Sequence, residues 1–383
     1  MNLDPWAMRA DLRHYIVNGQ CQAADLIVCE GVMGLFDGAT ARDGSTADIA
    51  AATGWPVILV VDARAQAASA AAVVRGFADL RRDVTIGGVI FNRMGSERHS
   101  SVIGDAMAHY APDIPVLGYL PRDDGLSLPS RHLGLVQASE HEALEAFLDQ
   151  AARLVVEHVD MDALTGMATP ASTPPVPEGM IPIAPLGQRI AVAHDRAFAF
   201  SYAHILDGWR RAGAEINLFS PLRDEAPAEN ADAIYLPGGY PELHAGVLAG
   251  GQAFLPGLRR AAERGARVFG ECGGYMVLGE GIVDADGVRH AMAGLLPLET
   301  SFAERSLHLG YRHVRMASQN DANGGLIEPE YRGHEFHYAT TVREEDANPL
   351  FRMSDATGAE LGAAGLSRGT VAGSFIHLVD QYA

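Results

Sequence analysis

Cysteine is scarce in this chain of 383 residues: Cys21, Cys29 and Cys272 are all it has. Three thiols in a chain this long give no disulfide framework, and the cytoplasm, a reducing compartment, is the expected location. Long apolar runs are also lacking. No stretch reaches the roughly 20 residues of a membrane span, and the N-terminus does not read as a secretory signal. Positive charge is in short supply: 29 Lys and Arg face 48 Asp and Glu, for a net charge of −19. That balance excludes nucleic acid and anionic membrane as main partners, though a local basic pocket can still take an anionic ligand. No internal repeat of the solenoid kind is present.

What is there reads as two α/β domains, a fair division for this length. In the first half, "DLIVCEG" (Asp25–Gly31), "PVILVVDAR" (Pro56–Arg64), "VTIGGVIFNR" (Val84–Arg93) and "PVLGYLP" (Pro115–Pro121) are apolar runs of strand length. Nearly continuous apolar strands predict a parallel sheet covered on both faces. The stretches Ala67–Leu80 and Glu140–His158 read as covering helices. Residues Thr165–Gly187 are rich in proline and read as a linker, because proline removes backbone donors. Strand–helix alternation then resumes through "RIAVAHD", "INLFSP", "AIYLPGG" and "RVFGE". The expected domains are 1–164 and 188–383, joined by a linker at 165–187.

The most informative stretch is "VFGECGGYMVLGE" (Val268–Glu280). A strand, a sharp turn carrying Cys272 and a helix would make an elbow that holds a nucleophile clear of the backbone. A buried structural cysteine is the other reading of this local pattern. A nucleophile needs a base and donors for an oxyanion. "PGGYPE" (Pro237–Glu242) can aim backbone N–H groups, with Gly239 and Gly273 the candidate donors, although an ordinary Pro-Gly turn reads the same way. His377 in "GSFIH" and the pair His334 and His337 in "GHEFHY" are the candidate histidines. Metal ligation by the pair is weakly supported, since a single acid lies nearby.

Taken together, "GECGGYM", "PGGYPE", "GHEFHY" and "GSFIH" resemble the class I glutamine amidotransferase domain of the cobyrinic or hydrogenobyrinic acid a,c-diamide synthase family. In the first half "CEGVMGLFDG", "GSTADIA", "VILVVDAR", "GVIFNR" and "LPSRHLGL" extend the resemblance over essentially the whole chain. It implies an α/β fold of two domains: an ATP-dependent synthetase domain similar to dethiobiotin synthetase, and an amidotransferase domain. It implies an enzyme that hydrolyses glutamine and uses the ammonia to amidate the a and c acetate groups of a corrin precursor. Cys272 would be the nucleophile and His377 the base. Many class I amidotransferases carry Glu two residues after this histidine. Val379 stands there, so a Cys–His dyad is expected, with Asp380 a weak candidate orienter. ATP and Mg2+ are the implied cofactors, with Glu30 holding metal and Asn92 and Arg93 near the adenine. Glutamine, (hydrogeno)cobyrinic acid and a second copy in a homodimer are the implied partners. Cobalt-free and cobalt-containing substrates fit equally well.

One expected part is missing. No G-x-x-x-x-G-K-[ST] occurs in the chain, and phosphate transfer needs such a loop and its lysine. The opening "MNLDPWAM" resembles the stretch just after that loop, so the synthetase domain is expected to be incomplete and ATP use by this chain unproductive. The alternative function is a glutaminase-only product, or one that binds corrin or a partner subunit without ligation.

Overall fold

The computed structural model describes all residues except 33, 128–129, 132–133, 136–137, 139–142, 173, 176–178, 318–322, 328, 345–347 and 383. The chain divides into two compact units. One comprises Met1–Ile16, Gly38–Gly44 and Pro175–Ala383, and the other Val17–Asp37 and Ser45–Pro174.

Helix α1 (Ala10–Ala23) carries an apolar stripe in its first half. Leu12 and Ile16, with Trp6 and Met8 just before, are buried around Val379, near the far end of the chain. Arg9 seals this contact with a bidentate ion pair to Asp380, whose side chain is fully buried. The first sixteen residues, grouped by sequence with the synthetase domain, thus pack with the C-terminal unit. Their apolar positions find their partners there.

In the unit of residues 17–174, α2 (Thr46–Thr53) starts at a capping box, where the Asp48 carboxylate accepts the Ser45 N–H at 2.8 Å. Strands β1 (Val57–Asp62), β2 (Ile86–Met94) and β3 (Val116–Pro121) form a parallel sheet in that order. Helices α3 (Ser69–Leu80) and α4 (Glu97–Tyr110) cover it, burying Val74, Ile103 and Met107 against Val61 and Phe91. Helix α5 (Leu144–His158) follows. These elements match the apolar runs, with one correction. The expected strand "DLIVCEG" joins no sheet; residues 25–31 run as exposed chain, with Val28 86% exposed. Among the described residues β1 is paired on one side only, and Val60 on it is 63% exposed. An apolar run becomes a strand only where a neighbouring edge takes up its N–H and C=O groups. Half of "LPSRHLGL" (128–135) falls outside the described residues.

The C-terminal unit is built on a ten-stranded mixed sheet. Its elements include β4 (Arg189–Ala193), α6 (Ala203–Arg211), β5 (Glu215–Phe219), β6 (Ala233–Leu236), α7 (Phe254–Glu263), β7 (Arg267–Glu271) and α8 (Gly273–Leu278). After them come β8 (His308–Met316), β9 (Glu330–His337), β10 (Asn348–Ser354), β11 (Glu360–Arg368), β12 (Val371–Ser374) and β13 (Ile376–Gln381). The order is β13-β9-β8-β10-β11-β12-β7-β6-β4-β5. The half from β12 to β5 is parallel, and the rest is antiparallel. Strands β6 and β7 lie in the middle of the parallel half and are almost wholly buried, which is why they read as unbroken apolar runs. Their carboxyl ends carry the glycine turn and the cysteine. In open α/β sheets that edge is where ligands bind.

Candidate active site

Strand β7 runs buried into Glu271, and the chain then turns sharply at Cys272 into α8. Cys272 has φ 48° and ψ −104°, a left-handed region that non-glycine residues rarely occupy. Strain of this kind persists only where the surroundings impose it. Here the Cys272 N–H donates to the Ser374 carbonyl at 2.8 Å, continuing the β7–β12 ladder by one residue. The turn also needs Gly274, because a methyl there would overlap the Leu236 carbonyl oxygen. The thiol is 2% exposed and lies 3.9 Å from the Phe336 carbonyl oxygen.

The turn after β6 meets this elbow. A methyl on Gly273 would stand 3.0 Å from the Gly239 nitrogen, so these two backbones are in close contact. Gly238 is held by the Phe200 N–H, which donates to its carbonyl at 2.9 Å. The His377 imidazole packs directly on Gly238, leaving no room there for a side chain. Cys272 and His377, 105 positions apart (377 − 272), thus converge on the same two-glycine turn. Of the other histidines, His334 lies opposite His377 across β9 and β13, with the rings stacked at 5.1 Å. Its Nε2 hydrogen-bonds the Tyr202 hydroxyl. The spacing of "GHEFHY" did not reveal this stacking, since a cross-strand register has no local signal.

The electrostatics favour two neutral partners at rest. Burial pushes the Cys272 thiol well above its ordinary range, and the Glu242, Glu271 and Glu335 carboxylates push the same way. The Gly273 N–H, which hydrogen-bonds the sulfur, pulls in the opposite direction. The pull of this N–H, at the start of α8, is thus outweighed by burial. Burial also depresses His377 well below the usual imidazole range, with His334 and then His337 adding to the effect. The His377 imidazole therefore stays unprotonated through the neutral range, and if it serves Cys272 as base the acid limb of Cys272 reactivity should lie below pH 6.5. His334→Ala removes one depressing neighbour and admits water, so the His377 pKa rises. The expected result is an acid limb displaced upward, with less than a tenfold loss of rate at pH 8. A pH profile of Cys272 alkylation checks this, and an unmoved or lowered limb would contradict it.

Other candidates fall elsewhere. The Asp380 carboxylate is engaged by Arg9 and does not orient His377. Val379 is buried among Trp6 and Leu12, so the position of a triad acid is apolar. His308, Glu335 and His337 bring three ligand atoms within 4.8 Å of one another. Arg312 holds one Glu335 oxygen at 2.8 Å, His337 Nε2 lies 2.9 Å from the other, and His337 Nδ1 faces the Ala339 carbonyl at 3.1 Å. With a guanidinium beside its one carboxylate and both His337 nitrogens already partnered, this cluster is poorly suited to a cation.

In the other unit, Asn92 and Arg93 end β2, and Arg93 has φ 60° and ion-pairs with Asp62 at the end of β1. They sit at the carboxyl edge of the parallel sheet, where a nucleotide would be expected. Glu30 is exposed in the stretch that joins no sheet, and among the described residues it belongs to no group of three candidate ligands. A lone exposed carboxylate does not make a Mg2+ site.

Residues 189–381 match the family model of the CobB/CobQ-like glutamine amidotransferase domain, and residues 7–130 match an AAA domain model. The chain is 55% identical over 381 residues to the hydrogenobyrinate a,c-diamide synthase of Brucella abortus, covering 99% of this chain and 86% of that protein. It is 54% identical over 381 residues to that of Rhizobium meliloti, with the same coverage. The protein of that name from Mesorhizobium japonicum is 47% identical over 385 residues, again covering 99% of this chain and 86% of that protein. Among the described residues no helix is long and apolar enough to cross a membrane.

Proposed function

The chain belongs to the hydrogenobyrinate a,c-diamide synthase family, and from that membership we propose that it amidates the a and c acetate groups of hydrogenobyrinate with ammonia taken from glutamine. The observation that supports the glutaminase half is the strained Cys272 elbow meeting His377 at the Gly238–Gly239 turn. As His377 takes its proton, the Cys272 sulfur attacks the side-chain carbonyl carbon of glutamine. The oxygen that gains negative charge would accept from the Gly239 and Gly273 N–H groups, the latter turning to it from the sulfur. The imidazolium returns its proton to the amide nitrogen, ammonia leaves, and a glutamyl thioester remains on Cys272. Water activated by the same imidazole then hydrolyses the thioester, releasing glutamate and the free thiol.

The ligase half uses ATP, as membership of the family and the AAA match indicate. ATP would supply the phosphoryl group that converts the acetate carboxylate to an acyl phosphate, so that phosphate leaves as ammonia adds, since ammonia cannot displace oxide from a free carboxylate. Asn92 and Arg93 are the proposed nucleotide contacts. A Mg2+ role for Glu30 rests on the sequence resemblance alone. A cytoplasmic location and a homodimer complete the proposal. A second reading is the alternative function left open by the sequence. On that reading the product hydrolyses glutamine, or binds corrin, without ligating.

One assay separates the two. The chain is incubated with glutamine, MgATP and hydrogenobyrinic acid, and the corrin is followed by mass. A gain of two amides, matched by ADP, supports ligation. Glutamate release with no ADP and an unchanged corrin supports the second reading. Running the cobalt complex in parallel tests the preference for the metal-free ring.

A further inference from the structure

We propose that Glu271 is a positioning residue for glutamine hydrolysis, its buried carboxyl group fixing the strand of His377 against the elbow of Cys272. The inference rests on the reading of Cys272 and His377 given above.

The argument begins where the sheet changes partners. Strand β12 runs parallel to β7 as far as the pair Ser374 and Glu271, and the Cys272 N–H then reaches the Ser374 carbonyl. After Phe375 the chain leaves β7 and continues as β13 along β9, with His377 opposite His334. Beyond this departure the backbone ladder no longer ties the histidine strand to the cysteine strand. A side chain takes over. The Leu378 N–H, next to His377, donates to Glu271 Oε1 at 3.1 Å. Glu271 itself directly precedes Cys272. One residue thus joins the neighbours of nucleophile and base.

The carboxyl group is also held from behind. The Tyr235 hydroxyl on β6 donates to Glu271 Oε2 at 2.7 Å, and Tyr235 is itself buried between Phe269 and Trp209. Both oxygens are therefore placed, in a site where Glu271 is 2% exposed. An acid so deeply buried needs a reason, because desolvation penalises its ionised form. Burial does raise Glu271 to about 8, so at pH 7 the group is mainly the neutral acid. A neutral acid still accepts the Leu378 N–H through one oxygen, and it places no charge beside the developing thiolate. Glutamine, with the same shape, can do both.

The test uses the full chain and three readouts: the rate of Cys272 labelling by a diazo-ketone glutamine analogue, kcat and KM for glutamine hydrolysis, and the melting temperature. An ångström of misplacement costs about a hundredfold in rate. Glu271→Leu should therefore lower labelling and kcat by roughly 30–100-fold, with KM within threefold of the parent. Glu271→Gln should stay within tenfold on every readout. The proposal is overturned if Glu271→Leu loses less than tenfold, if Glu271→Gln loses more than tenfold while folded, or if the loss lies in KM. Should Glu271→Leu not fold, Glu271→Gln alone decides by the same boundary. A parent chain that is not labelled at Cys272 would refute the nucleophile assignment instead, which keeps the two failures distinct.

Discussion

Replacing Cys272 by serine is expected to lower glutamine hydrolysis by roughly a thousandfold or more, with glutamine affinity changed only a few-fold. The size of the effect follows from the environment of the pair. His377 is a weakened base, its pKa held down by burial and by His334 and His337. Such a base can take a proton from a thiol as sulfur attacks, but an alcohol is a far weaker acid. Serine at the elbow would also sit beside Glu242 and Glu335, whose carboxylates oppose a developing alkoxide as they oppose a thiolate. Ammonia release measured at pH 7.5 decides the matter. A serine variant within tenfold of the parent would mean that the sulfur is not the attacking atom.

Replacing His377 by alanine is the second large effect. Labelling of Cys272 by a glutamine-like electrophile should fall by about 10²–10⁴-fold at neutral pH, the usual contribution of a positioned base. The remaining rate should then climb with pH, roughly tenfold per unit, because only solvent hydroxide is left to ionise a thiol whose pKa is raised by burial. His334→Ala keeps the base and should show no such slope. A flat profile for the His377 variant, or the steep one for the His334 variant, would reverse the assignment.

The turns of the candidate site were legible because their parts are local. An apolar strand ending in Glu-Cys-Gly-Gly and another ending in Pro-Gly-Gly each carry their turn chemistry in adjacent residues, and the elbow at Cys272 follows from them. The parallel strands Val57–Asp62, Ile86–Met94 and Val116–Pro121 were legible as unbroken apolar runs, although Val60 in the first of them is exposed. What escaped depends on register between distant strands. The stacking of His334 on His377 comes from β9–β13 pairing, and the reach of Glu271 to Leu378 comes from the parting of β12 and β13. An acid at the buried end of an apolar strand was a signal for Glu271, but its partner was not in view. "DLIVCEG" misled because composition reports what a run could pair with, not whether a neighbouring edge is there. The pairing of Arg9 with Asp380 had no local signature at all.

That last contact sets a timetable for synthesis. Arg9 and Asp380 are 371 positions apart, so the first helix is made long before the strand that covers it. At ribosomal speeds of about 5–20 residues per second, the interval is roughly 20–70 s. Throughout it Trp6, Met8, Leu12 and Ile16 have no Val379 to pack against. The amidotransferase unit thus cannot close cotranslationally from its N-terminal side, and a nascent chain presents an uncovered apolar helix until its last strand emerges. A chain ending before Val379 would keep that helix on display, marking it for chaperones and proteases even with Cys272 and His377 both made.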